Sequence, residues 1–365
     1  MPDIDIFCRV IDNYGDIGVC WRLARRLQHQ LGRTVRLWVD HLPSFQRLEP
    51  ELRTDAALQV LHGITVGRWD DATAWPAPAP CVIEAFACDL PDAVRRRITP
   101  AHQWLNLEYL SAEDWVADCH GLPSPQGAGI LKRFHFPGFT PRTGGLLRED
   151  GLLTQRDHWQ MQPAARQALW QALGVDRHLA DQAASGQRRV ALLFCYPTAP
   201  IQALWHALQG ADQPWLLLRA GDSGAALEGQ GNDQVAVHAL PFVDHHRFDQ
   251  LLWSSDLNWV RGEDSFVRAQ WAGRPMVWHI YPQDDDAHAV KLEAWLRRAG
   301  LPPDLAALHL AWNGMAGSAA DALLPLARAS SLSAWQRWAT AWSGELTTLP
   351  ELGETIVARA AAGLE

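Results

Sequence analysis

A chain of 365 residues is long enough for roughly two domains, each burying its own core, and too long for a peptide or a small zinc module. Hydrophobic residues make up 48% and charged residues 20%, with 27 Gly and 23 Pro, which excludes a disordered or fibrous chain. The formal net charge of −9, with no basic run, argues against a nucleic-acid partner, because such binding draws on Lys and Arg to displace counterions.

In chain order, Met1-Pro2-Asp3-Ile4-Asp5 lacks the basic and apolar regions of a signal peptide. No apolar stretch reaches the ~18 residues that span a bilayer. A cytoplasmic protein without membrane contact is expected. Residues 3–11 are an apolar run rich in Ile, Val and Phe; the turn Asp12-Asn13-Tyr14-Gly15-Asp16-Ile17-Gly18 follows, then a helical pattern carrying Trp21, Leu23 and Leu27. Strand patterns recur at Val35–Val39, Leu58–Leu61, Cys81–Phe86 and Trp104–Tyr109, separated by helical or loop segments such as Asp92–Ile98. Alternation of this kind predicts a parallel, doubly wound α/β sheet. Residues 150–187 turn Gln-, Ala- and His-rich with helical spacing and read as a helical linker. A second alternating series then runs through Arg189–Tyr196, Ile201–Leu208, Trp215–Arg219, Val235–Leu240, His246–Trp253, Leu257–Arg261, Ser265–Ala272, Met276–Tyr281 and Asp285–Ala299. Residues Glu354–Ala362 suit a closing helix. Ligands of such sheets bind beyond the carboxyl ends of the strands.

Three sets of residues could carry chemistry. Asp12 and Asp16 straddle the first strand-to-helix turn, where two nearby carboxylates can supply a general base; the plainer reading makes Asp16 a helix N-cap and Asp12 a turn residue. Gly15-x-x-Gly18 is not the dinucleotide fingerprint. Arg261-Gly262-Glu263-Asp264-Ser265 joins a strand to a helix, where first-turn N–H groups and the Ser265 hydroxyl can hold a phosphate while Glu263 and Asp264 face sugar hydroxyls; otherwise Asp264 or Ser265 is a cap. Phe194, Tyr196, Phe242 and Tyr281, the last followed by Pro282-Gln283, stand at strand ends and suit a base-stacking wall, although each alone reads equally as core. Asp284-Asp285-Asp286 precedes a helix and suits its dipole better than a metal. The fifteen His show no zinc spacing, and the six cysteines (Cys8, Cys20, Cys81, Cys88, Cys119, Cys195) form no C-x-x-C pair and read as reduced core thiols. Most of the 19 Trp read as core.

Taken as motifs, Asp12-Asn13-Tyr14-Gly15-Asp16-Ile17-Gly18-Val19-Cys20-Trp21-Arg22-Leu23 and Arg261-Gly262-Glu263-Asp264-Ser265-Phe266-Val267-Arg268-Ala269-Gln270 closely resemble one family, the protein-arginine rhamnosyltransferases that modify bacterial translation elongation factor P (the EarP family). Leu107-Glu108-Tyr109-Leu110-Ser111-Ala112-Glu113, Phe136-Pro137-Gly138-Phe139-Thr140, Thr143-Gly144-Gly145-Leu146-Leu147-Arg148-Glu149 and Trp278-His279-Ile280-Tyr281-Pro282-Gln283 agree, so the resemblance runs from about residue 3 to 295.

The resemblance implies a GT-B glycosyltransferase, two Rossmann-like domains facing across a cleft, that requires no metal or other cofactor. The domains would be 1–150 for the acceptor, with a C-terminal helix 350–365 packing back on it, a helical linker 151–183, and 184–349 for the donor. The donor would be dTDP-β-L-rhamnose, the acceptor one arginine at a loop tip of elongation factor P, and the transfer inverting. By motif, Asp12, Asp16 and Glu263 match the essential acids, Asp16 as base and Asp12 as orienting partner. Tyr196, Phe242, Asp264, Ser265 and Tyr281 fall on donor-binding positions, with Tyr14, Gly15, Phe194, Glu263 and Gln283 completing that set. One departure stands out: Phe242-Val243-Asp244-His245 occupies a place where the family tends to have Pro-Gln after Phe-Val. Two other readings stay open: a GT-B enzyme with another sugar nucleotide or a small-molecule acceptor, and a non-catalytic nucleotide-sugar-binding protein.

Overall fold

The computed structural model describes residues 2–11, 14–283 and 286–361. The chain divides into two units, Met1–Asp150 with Thr347–Glu365, and Gly151–Leu346.

In the first unit the elements run β1 (Ile4–Cys8), α1 (Gly15–His29), β2 (Val35–Val39), α2 (Leu42–Leu48), β3 (Leu58–Leu61), β4 (Ile64–Arg68), β5 (Cys81–Ala85), α3 (Asp92–Arg95), β6 (Gln103–Leu107), α4 (Trp115–Cys119), β7 (Pro123–Gly127) and β8 (Ile130–His135). The central strands β1, β2 and β5 are buried along their whole length, as unbroken apolar runs require when helices cover both faces. The one charge that β1 carries inward, Asp5, is met by the Arg36 fork at 2.7 and 2.8 Å. Spatial order is β3-β4-β2-β1-β5-β6-β8-β7.

The sheet is not wholly parallel: β3 and β7 run antiparallel to their neighbours at the two edges. Both edge hairpins turn over two residues of positive φ, His62-Gly63 (47° and 76°) and Ala128-Gly129 (51° and 77°). That is the geometry of a turn whose twist matches the flanking strands. Solvent-facing β3 and β7 thereby shield the edges of the parallel core.

The second unit opens with α5 (Leu152–Gln160), α6 (Pro163–Ala172) and α7 (Arg177–Ala184). These are the residues expected as a linker, and they belong to the body of this unit. Arg156 donates to the Trp271 carbonyl and to Ser343 Oγ, both at 2.8 Å, and Trp159 Nε1 donates to Ser254 Oγ at 2.9 Å. The helical spacing was visible in the sequence; these partners, roughly a hundred residues away or more, were not. There follow β9 (Arg189–Leu193), α8 (Ile201–Gln209), β10 (Trp215–Arg219), β11 (Val235–Ala239), α9 (His245–Ser254), β12 (Leu257–Arg261), α10 (Asp264–Trp271), β13 (Met276–His279), α11 (Ala287–Ala299), α12 (Pro303–Trp312), α13 (Ala319–Ala322) and α14 (Ala329–Leu346). The sheet order is β11-β10-β9-β12-β13, with every pair parallel. Trp215, Trp259, Trp312 and Trp335 fill its core. Each large ring buries on the order of 150–250 Å².

The chain then returns to the first unit. Leu146 and Glu351 pair as an isolated parallel bridge, and α15 (Leu352–Ala361) sets Leu352 and Ile356 into the first core beside α1. Buried Arg26 of α1 meets buried Glu351 at 3.2 Å, with Asp150 at 2.9 Å.

Candidate active site

In the first unit, the chemistry gathers at the carboxyl ends of β1, β5 and β6. Asp16 is not the helix cap that its position suggested. Tyr14 occupies the cap position without a side-chain cap bond, Gly15 starts α1, and Asp16 lies in the first turn, only 3% exposed. Its Oδ2 accepts the Ile11 N–H at 2.8 Å, and Oδ1 accepts the Tyr109 hydroxyl at 3.1 Å. Asp12 and Asn13 lie outside the described residues.

Tyr109 was quoted within a motif but not singled out as a site residue, and the structure explains why it matters. Its ring stacks on Phe86 at 4.4 Å and 14°. Phe86 and Ala87 adopt left-handed backbone, φ 57° and 50°, and Asp89 does so again at 55°. Such conformations cost about 1–2 kcal/mol per non-glycine residue and persist only where the surroundings determine them. Here they do. Phe86 N–H donates to the Leu107 carbonyl, Ala87 N–H to Asn106 Oδ1, and Asp89 N–H to Glu84 Oε1. Buried Glu84 is itself fixed by Trp104 Nε1 at 3.0 Å and Lys132 Nζ at 3.2 Å. A buried ion pair thus holds a strained turn, the turn holds a ring, and the ring carries the hydroxyl that orients Asp16. No spacing rule links residues 93 positions apart.

In the second unit, β9 leads into Phe194, Cys195 and Tyr196, β12 ends at Arg261, and β13 at His279. The Arg261 guanidinium lies 4.6 Å from the Phe194 ring centre and 4.9 Å from that of Tyr196, and Nη1 donates to the Cys195 carbonyl at 3.4 Å. Tyr196 meets Tyr281 edge to face at 5.6 Å and His279 at 5.2 Å. His279 Nδ1 accepts the Tyr196 N–H at 3.3 Å, and burial, reinforced by Arg261, brings the imidazole down to about 4. It is therefore a neutral positioning group near pH 7. Phe194, Tyr196 and Tyr281 come together around a fixed cation. Phe242 is 45% exposed in the loop after edge strand β11.

Two details of the strand-to-helix turn differ from expectation. Gly262 takes φ 65°, which frees the turn to bring Glu263 to the cap position of α10, while Asp264 begins the helix. Neither Asp264 nor Ser265 caps it. The Ser265 hydroxyl, buried, bonds back to the Arg261 carbonyl. In this conformation its proton is committed to that carbonyl, so a phosphate there meets the amides of the first turn instead. Trp278 Nε1 donates to the Gly262 carbonyl at 2.9 Å and stacks on Phe266 at 3.8 Å, which locks the turn from behind. Gln283 is exposed, with its backbone N–H on His288 Nδ1 at 3.1 Å. Asp244, the departure from the family's Pro-Gln, is the N-cap of α9, accepting the Arg247 N–H at 2.8 Å.

Asp284 and Asp285 lie outside the described residues, and Asp286 sits at the cap position of α11 with no side-chain cap bond. Among the described residues no group of three or more His, Cys, Asp or Glu is placed to hold a metal ion. No described helix is long and apolar enough to cross a membrane. The cysteines are free thiols; all but Cys119 are buried, and burial pushes Cys81 up to about 12, out of reach of nucleophilic use near neutrality.

The model of the elongation-factor P (EF-P) rhamnosyltransferase EarP matches residues 4–360. Protein-arginine rhamnosyltransferases of Pseudomonas putida and Pseudomonas aeruginosa are 47% and 44% identical, over 97% and 98% of both chains. A solved structure addressing EarP-mediated arginine glycosylation of translation elongation factor EF-P is 34% identical, covers 97% of each chain, and superposes with a TM-score of 0.63. A UDP-glucose:anthocyanidin 3-O-glucosyltransferase in complex with UDP, 11% identical over 99% of this chain and 98% of its own, shares the fold with a TM-score of 0.52. The two units, each built on a sheet of mainly parallel strands, are the Rossmann-like domains of a GT-B glycosyltransferase. The chain belongs to the EarP family of protein-arginine rhamnosyltransferases.

Proposed function

We propose that this glycosyltransferase moves L-rhamnose from dTDP-β-L-rhamnose to one arginine of elongation factor P in the cytoplasm, with inversion and without a metal, leaving the factor active in translation. The observation that carries this reading is the Asp16 carboxylate, buried and held by two donors where a doubly wound sheet presents its reactive groups.

A guanidinium has a pKa above about 12 and a delocalised lone pair, so it must be aligned and must lose a proton during or after attack. Asp16, its oxygens fixed by Ile11 and Tyr109, is the base; Asp12 orients the guanidinium from the same turn. The second unit supplies the donor groups. Arg261 offers a cation to the diphosphate, the α10 amides receive the charge that develops on departing dTDP, and the rings of Tyr196 and Tyr281 flank the nucleotide sugar. Phe194, Phe242 and Gln283 serve the base, the backbone amides at Asp264 and Ser265 the phosphates, and Tyr14 and Gly15 are assigned to the donor as well. Glu263 contacts sugar hydroxyls. An inverting transfer needs no enzyme nucleophile.

Intact-mass measurement tests this reading. Elongation factor P incubated with the enzyme, dTDP-β-L-rhamnose and a chelator gains one deoxyhexose. No gain, or gain only with added metal, overturns the proposal. An equal gain with other sugar nucleotides overturns the donor assignment.

A further inference from the structure

The first unit holds a pocket of about 370 Å³, lined by His120, His135, Arg142, Thr355 and Arg359 together with Pro141 and Pro350. None of its lining residues belongs to the Asp16 network. His120 follows α4, His135 ends β8, and Thr355 and Arg359 lie one turn apart on α15. The two imidazoles meet edge to face at 4.7 Å.

Their tautomers follow from their partners. His120 Nδ1 accepts the Phe136 N–H at 3.1 Å, so the neutral ring carries its proton on Nε2. Thr355 Oγ1 lies within hydrogen-bond distance of the Gly144 and Leu352 carbonyls, at 3.0 and 2.9 Å, and has one proton to give. It therefore accepts from His135 Nε2, 3.2 Å away.

Glycine makes room for the Arg359 guanidinium and for the neutral His135 ring. Gly121 has φ +80°, and a Cβ there would come within 2.7 Å of Arg359 Nη2; a Cβ at Gly144 would come within 2.7 Å of His135 Nε2. The charges do not balance. Arg142 is paired with Asp118 at 2.9 Å on the exposed rim, while half-buried Arg359 has no hydrogen-bond or ion-pair partner among the described residues. Burial first, then neighbouring positive charge that includes Arg359, holds both imidazoles below the usual histidine range, His135 at about 3. Arg359, Arg142 and the His120 N–H converge on a space whose described lining includes no carboxylate.

We propose that this pocket binds a phosphate or phosphoester group between the Arg359 guanidinium and the His120 imidazole, with Arg142 at the rim. A guanidinium fork fits a tetrahedral oxyanion, and His120 contributes an Nε2–H donor. The volume, room for on the order of a dozen waters, accommodates an organic substituent on the phosphate. An anion here favours a protonated His120, so binding takes up a proton. The charged and titratable groups around that ring are His135, Arg359 and Arg142, the last paired with Asp118 at the exposed rim.

Calorimetry on the full chain, with saturating dTDP present to occupy the nucleotide site, tests the proposal using inorganic phosphate, glycerol 3-phosphate and sulfate. One equivalent binds, and Arg359→Gln weakens it by about ten- to a hundredfold. His120→Asn, whose amide oxygen can still receive the Phe136 N–H, weakens it several-fold and abolishes the tighter sulfate binding expected at pH 6 over pH 8. Glycerol 3-phosphate binding more tightly than phosphate identifies a phosphoester ligand, and the reverse order a free anion. No binding, or affinity undiminished in Arg359→Gln, overturns the site. Should that variant fail to fold, undiminished affinity in His120→Asn does so.

Discussion

In the first unit, the carboxyl ends of β1, β5 and β6 present oxygen: Asp16, the Tyr109 hydroxyl, and the buried Glu84 behind them. In the second, the ends of β9, β12 and β13 present a cation and rings: Arg261 over Phe194 and Tyr196, with Tyr281 edge-on. The scaffold is nearly the same in both, a sheet of mostly parallel strands under helices. What differs is the sign of the charge placed at the strand ends, and on the proposed function the ligand each unit takes, a guanidinium in one and a nucleoside diphosphate in the other. On that reading, a pair of similar folds serves a transfer by dressing one set of strand ends with hydrogen-bond acceptors and the other with donors.

The sharpest way to break that division is Asp16→Asn. It removes the proposed base while leaving the second unit intact, so transfer to elongation factor P is expected to fall by about 10³- to 10⁴-fold with dTDP-rhamnose affinity unchanged by calorimetry. Near-normal turnover, or a loss of donor affinity, contradicts the assignment. Arg261→Ala is the converse. Removing the cation and its ring contacts weakens dTDP binding by about a hundredfold, and arginine-acceptor binding is unchanged.

Next in size is an acid effect on stability, which the second unit carries more heavily. His279 and His309 there, each at about 4, and His135 in the first unit, at about 3, are buried neutral, chiefly by desolvation. Their folded pKa values lie below the unfolded value near 6.5, so the unfolded chain binds more protons in this window. Stability is full above about pH 6.5 and declines as pH falls towards 4, by about 1.4 kcal/mol per pH unit for each histidine. Urea unfolding at pH 7 and pH 5 measures the slope. His309→Gln, in the second core, flattens it by about a third; an unchanged slope refutes this account.

Tyr109→Phe has the smallest effect. It keeps the stack on Phe86 and deletes only the hydroxyl on Asp16, so transfer falls by about tenfold while unfolding shifts by about 1 kcal/mol or less. A large stability loss with normal turnover marks Tyr109 as a structural residue only.

Much of this arrangement was legible in the sequence, for reasons that are local. The apolar run Ile4–Cys8, the glycine turn and the amphipathic α1 announce themselves by period, as do Trp215–Arg219 and Leu257–Arg261. The edge hairpins did not, because His62-Gly63 and Ala128-Gly129 replace the usual Asn-Gly turn, and β7 carries two prolines with mostly exposed side chains. At the site, Asp16 was found by placement at a turn, but its partners Ile11 and Tyr109 and the left-handed Phe86 depend on chain segments that meet only on folding. Arg261 stood in a quoted motif, yet its role as the cation under two rings emerges only when β9 and β12 lie side by side.

The return of α15 to the first unit bears on how the protein is made. Arg26 appears early in synthesis, but its buried partner Glu351 is translated only after the whole of Gly151–Leu346. At about 5–20 residues per second, the first core waits roughly ten to forty seconds for Leu352 and Ile356. The second unit is continuous in the chain and can close while the first remains unfinished. On the ribosome, folding order therefore runs opposite to translation order for the unit that carries Asp16.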